Sequence, residues 1–133
     1  MKKLYLAARY KRREEMEQYA NRLKMFGYGI TATWVYGGEE GKPRDYIALL
    51  DLEDIDRADA VVSFTELWDT PVVRGGRHVE FGYGLAKGKE MIVIGNRENV
   101  FHWHPNVKVF ETLDQWIEAD KPTVFLEDEP RDV

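Results

Sequence analysis

The chain has 133 residues, the size of one domain; with 44% apolar and 32% charged residues it can bury a core without staples. A net charge of −5 argues against a duplex nucleic-acid binder, because phosphate affinity needs a basic face. There is no cysteine, hence no disulfide or thiolate chemistry, and the apolar run after Met1-Lys2-Lys3 is too short for a signal-peptide core or a membrane span; a cytoplasmic protein away from membranes is expected.

Leu4 to Ala8 reads as a first strand. Arg13 to Phe26 has helical spacing, with Met16, Tyr19, Ala20, Leu23 and Phe26 on one face, and Gly27 and Gly29 end it. Ile30 to Tyr36 is β-branched and aromatic and reads as a second strand; Gly37 to Pro43 is a loop by composition. A second helix is expected from about Asp45 to Arg57, with Ile47, Leu50, Asp51 and Asp54 at helical spacing. Ala60 to Phe64 is a third strand, Thr65 to Val73 a loop, and Gly75 to Lys87 a glycine-containing helix. Met91 to Ile94 is a buried fourth strand followed by Gly95 and Asn96, and Val107 to Phe110 a fifth. A last helix runs from Thr112 to Ala119, with Thr112 placed to cap it and Asp114 and Gln115 in its first turn.

Continuous apolar strands alternating with helices imply an α/β domain, a parallel sheet covered on both faces. The expected fold is a single doubly wound five-stranded sheet of flavodoxin or Rossmann-like order 2-1-3-4-5. Residues 1–120 form this domain and residues 121–133 an acidic tail. Ligands of such sheets sit beyond the carboxyl ends of the strands. That places Ala8-Arg9-Tyr10, the stretch from Phe64 to Gly76 and the stretch from Asn96 to Asn106 around one crevice.

The helix from Gly75 to Lys87 is the most informative segment. Gly82 and Gly84 each cost roughly 1 kcal/mol of helix stability, and close approach to the sheet or a partner helix is the usual reason. Glu80 lies in its first half, beside Val79, Phe81 and Tyr83. A carboxylate in that setting is partly desolvated, with raised pKa and nucleophilicity; the same spacing also suits an exposed glutamate on a surface helix.

The segment Gly75-Gly76-Arg77-His78-Val79-Glu80-Phe81-Gly82-Tyr83-Gly84-Leu85-Ala86-Lys87-Gly88-Lys89 resembles the signature of the nucleoside 2-deoxyribosyltransferase family, which includes 2′-deoxynucleoside 5′-phosphate N-hydrolases. Leu4-Tyr5-Leu6-Ala7 and the run from Asp51 to Asp59 resemble the family's first strand and its helix-to-strand segment. The resemblance implies Glu80 as the nucleophile that attacks the anomeric carbon, Tyr5 as the residue orienting it, and Asp51 as an acid near the sugar or leaving base. It implies chemistry with no metal and no cofactor. His102 and His104, flanking Trp103, are weak metal candidates in any case without a third ligand.

One departure changes the expected substrate. Where the transferases often carry an aspartate six residues before the nucleophile, this chain has Arg74. Arginine pairs with phosphate and cannot accept a base's N–H groups. Gly75 and Gly76 expose N–H groups at the helix start, so Arg74, with Arg77, is expected to bind a 5′-phosphate. Ala8 lies at the crevice, and Trp68 could stack on the base. In the family the loop corresponding to residues 99–106 reaches a neighbouring subunit, which implies a homodimer or larger homo-oligomer with His102, His104 or Asn106 completing the partner's pocket. The function expected is cleavage or transfer of the N-glycosidic bond of a small-molecule nucleoside or nucleoside monophosphate. A non-catalytic nucleotide sensor on the same fold is the competing reading.

Overall fold

The computed structural model describes residues 1–71 and 74–122. Val72, Val73 and most of the expected acidic tail lie outside the described residues. Five parallel strands, β1 (Lys3–Ala7), β2 (Gly29–Ile30), β3 (Ala60–Phe64), β4 (Glu90–Ile94) and β5 (Val107–Phe110), form one sheet in the order β2-β1-β3-β4-β5. The register sets Tyr5 beside Val61, Val61 beside Met91 and Ile94 beside Phe110. Four helices accompany them: α1 (Arg13–Met25), α2 (Arg44–Asp56), α3 (Gly76–Ala86) and α4 (Leu113–Asp120). The predicted architecture is the one found.

The strands lack alternation because both faces are covered. Leu4, Tyr5, Leu6 and Ala7 of β1 are inaccessible to solvent, as are Val61 and Val62 of β3 and Met91, Ile92 and Val93 of β4. Arg22 of α1 pairs with Asp114 of α4, and Tyr28 stacks on Trp116 at 5.2 Å, tying those two helices together. Thr112 and Gln115 close the reciprocal cap that the sequence placed at the start of α4.

The second strand is shorter than expected. Only Gly29–Ile30 pairs with β1, and Thr33–Tyr36 turns into a 3-10 helix. Two hydrogen bonds draw this segment out of the ladder. The Thr33 amide donates to Asp54 Oδ2 at 2.8 Å, and the Trp34 indole N–H donates to the Leu6 carbonyl at 2.8 Å. Asp54 is fully buried, so a polar anchor inside the fold overrides the local β-propensity of Trp34, Val35 and Tyr36.

The two helical glycines divide. A Cβ on Gly84 would meet Val61 Cγ2 at 2.7 Å and Met91 Sδ at 3.3 Å, so α3 approaches the sheet there as closely as a glycine permits. A Cβ on Gly82 would meet nothing within 4 Å, so close approach explains only one of the pair.

Candidate active site

The carboxyl ends of β1, β3 and β4 open into a cavity of about 840 Å³, and residues following each strand line it. Its floor is acidic. Tyr5 rises from β1 with its ring wholly buried, and its hydroxyl donates to Glu80 Oε2 at 2.7 Å. Glu80 is half-buried on the second turn of α3. Asp51 reaches the same cavity from α2, and Glu39 from the turn that precedes α2. The carboxyl of Asp51 is near enough to those of Glu39 and Glu80 to shift the titration of both.

Burial sets the charge state of this floor. It pushes Glu80 up to about 8, with the nearby Asp51 charge adding to the rise and the Tyr5 hydroxyl opposing it. Glu39 is pushed up to about 9, by burial first and by Asp51 next. Burial raises Asp51 too, although its contact with Glu39 pulls it back towards the charged form. Tyr5 is raised by burial and by the Glu80 carboxylate, so it stays a donor. The protons belong to the cluster as much as to any one residue.

The rim is basic and braced. Arg12 bridges Glu66 at 2.7 Å and the Thr65 carbonyl at 3.2 Å, and Arg9 also meets Glu66, at 3.3 Å. Arg77 forms a two-pronged ion pair with Glu98, one contact at 2.8 Å, and both side chains are largely buried. Arg74 is exposed at the mouth, beside Gly75 in the left-handed conformation (φ 78°) that starts α3. Gly76 and Ala8 line the wall. The Arg77 charge is met by Glu98, whereas no ion pair is formed by Arg74 among the described residues.

Trp68 lines the cavity and is 92% exposed. Trp34 and Tyr10 form a second aromatic wall, their rings 6.1 Å apart and tilted by 35°. His102 is buried within its own chain, accepts a hydrogen bond from the Glu98 amide at 2.8 Å, and meets Phe81 edge to face at 4.7 Å. It thereby fixes the residue that holds Arg77. His104 and Asn106 are exposed, and the Asn106 amide donates to His104 Nδ1 at 3.0 Å.

Glu39 is the site residue that sequence reasoning missed. It sits in Gly37-Gly38-Glu39-Glu40-Gly41, a composition that signals only a turn. Among the described residues no helix is long and apolar enough to cross a membrane.

No protein-family model matches the sequence, and no curated protein matches it. Solved structures do. The CMP N-glycosidase BcmB of Clostridium botulinum superposes with a TM-score of 0.61 at 21% identity, over 90% of this chain and 98% of that one. A 2-deoxyribosyltransferase from Leishmania mexicana superposes with a TM-score of 0.67 at 15% identity, over 97% and 99%. Both neighbours are nucleoside 2-deoxyribosyltransferase-family enzymes, and the chain shares their fold along almost its whole length.

Proposed function

We propose that this protein breaks or transfers the N-glycosidic bond of a (deoxy)nucleoside or nucleoside 5′-monophosphate, with Glu80 as the nucleophile. The observation that carries this reading is the Tyr5 hydroxyl held 2.7 Å from Glu80 Oε2 at the floor of a cavity large enough for a nucleotide. A carboxylate below the anomeric carbon stabilises an oxocarbenium-like transition state, then closes on it as a glycosyl ester. The neighbouring acid, Asp51, supplies the proton that lets the base depart. Water then releases the sugar, or a second base takes it. Tyr5 donates to one Glu80 oxygen and leaves the other to attack. Arg74 and the N–H groups of Gly75 and Gly76 receive the 5′-phosphate, and Trp68 covers the base.

Val100, Phe101 and Trp103 are exposed on the loop carrying His104 and Asn106. A patch of that kind suits a copy of the same chain, and we assign the working state to a cytoplasmic homodimer or larger homo-oligomer.

The test is a chromatographic assay for free base, run on ribo- and deoxynucleosides and their monophosphates, with and without a second base. Base release that vanishes in Glu80→Ala is the expected result. Arg74→Ala should lower kcat/KM for monophosphates by roughly ten- to a hundred-fold, the worth of a charge-assisted hydrogen bond of about 1.5–3 kcal/mol, and leave nucleosides unaffected. If wild type matches Glu80→Ala on every substrate, the protein is a nucleotide-binding module.

A further inference from the structure

We infer that Glu39 is a proton-holding residue of this site: its carboxyl shares one proton with Asp51, and that proton is the one delivered to the departing base. The second half rests on the function proposed above; the first rests on the burial of both carboxyls at the wall of one cavity.

Acidic side chains in glycine-rich turns ordinarily point into water. This one points inward. Glu39 is only 9% exposed, while Gly38 and Glu40 on either side are exposed. Its turn is built to turn it in: Gly37 and Gly41 take left-handed φ values of 80° and 76°, the Gly37 amide donates back to the Trp34 carbonyl at 3.0 Å, and the Lys42 amide donates to the Glu39 carbonyl at 3.1 Å.

Glu39 Oε2 and Asp51 Oδ1 are both buried without a hydrogen-bond donor to accept from. Two buried lone acceptors would each carry an uncompensated cost. The groups facing Glu39 offer no relief: Asp51 and Asp54 from α2, Glu80 from α3 and, from β1, Tyr5, whose hydrogen is already given to Glu80. Among the described residues no ion pair involves Glu39, Asp51 or Glu80, and no His, Cys, Asp or Glu group has the geometry to hold a metal ion. One proton between the two carboxyls turns one of them into the donor that the other lacks. Two carboxylates that cannot both ionise at close range retain a proton in this way.

Such a proton is placed for use. Asp51 lies near both Glu39 and Glu80, so the shared proton and the nucleophile face the same substrate. As Glu80 bonds to the anomeric carbon, the C–N bond breaks and its electron pair leaves on the base nitrogen. The base takes the shared proton, and the Glu39–Asp51 pair becomes fully anionic. Water attacking the glycosyl ester then returns one proton to the pair and frees Glu80 as a carboxylate, so the cycle closes with no other reactant.

Infrared difference spectroscopy of the full-length protein without substrate tests the shared proton, comparing wild type with Glu39→Gln through a pH titration. The expected result is a protonated-carboxyl band in wild type that persists towards about pH 9, above the range in which Glu80 ionises, and whose highest-pH component is lost in the variant. A band unchanged in Glu39→Gln, or missing from wild type, overturns the inference. The pH profile of base release tests delivery. In wild type kcat/KM should fall on the alkaline side; in Glu39→Gln the rate should drop roughly 10²–10⁴-fold, the range for losing a general acid, with the alkaline fall moved to lower pH. A profile that keeps its shape, with only the Tm altered, makes Glu39 a structural residue. If no nucleotide yields free base even with wild type, the glycosidase reading fails while the infrared band still decides whether Glu39 holds the proton.

Discussion

At the scale of single residues, the hydrogen bond from Tyr5 favours the charged form of Glu80, the proposed nucleophile. Burial favours the neutral acid, and the phenol is the named group that opposes it. Tyr5→Phe keeps the ring in the core and removes only the donor. It should lower kcat/KM by roughly ten- to a hundred-fold, as expected for losing about 1.5–3 kcal/mol at a charged acceptor, and move the acidic limb of the pH profile upward; steady-state kinetics across pH checks both. Tyr5, Asp51 and Glu80 could be named from the sequence because a motif marks each of them. Glu39 could not, since nothing local distinguishes a glutamate turned inward from Glu40 beside it. The pairing of Arg77 with Glu98 was hidden for the same reason: 21 residues separate the partners, and only the fold brings them together.

At the scale of elements, α3 carries Glu80, the proposed nucleophile, and its approach to the sheet is set by the missing side chain of Gly84. Gly84→Ala would force a methyl against Val61 and Met91 and should destabilise the protein by about 1–3 kcal/mol, lowering activity by lifting Glu80 away from Tyr5. Gly82→Ala adds a methyl in open space and should stabilise by up to ~1 kcal/mol. Denaturant midpoints for the two variants should therefore move in opposite directions. The sequence predicted where the helices and most strands lie, because apolar period and glycine placement are local signals. It overextended β2, because the attraction of Asp54 for the Thr33 amide comes from a residue 21 positions further on. Buried polar anchors of that kind leave no periodic trace.

At the scale of the whole molecule, the acidic floor sets stability against reactivity. Folded Glu80 and Glu39 bind protons more tightly than the unfolded chain, whose glutamates ionise near pH 4.5. Their contribution to stability is therefore fully present below that pH and is lost as pH rises towards about 8 and about 9. Glu98 and Glu15 act in the opposite sense. Arg77 holds Glu98 low against the upward push of burial, and Arg12 holds Glu15 low, so both cost stability as pH falls through their lowered pKa values. Calorimetry should find the highest Tm in mild acid. Base release, which needs Glu80 charged and a proton still on its neighbours, should peak in mild alkali. Glu39→Gln should raise Tm by a few degrees more at pH 9 than at pH 5, where the wild-type side chain is already neutral.

Tyr5 and Glu39 are supported very differently. Tyr5 belongs to a buried strand that pairs with β3 along its length and with β2 at its start; Glu39 hangs from a glycine turn closed by a few backbone hydrogen bonds. Freeing a surface turn takes far less free energy than freeing a central strand. In the proposed reaction the acid and the nucleophile would therefore have different lifetimes. A brief opening of the turn would admit water to the carboxyls and silence the acid, while the nucleophile stayed oriented. On the proposed mechanism, competence for catalysis would flicker on a faster clock than the fold that houses it.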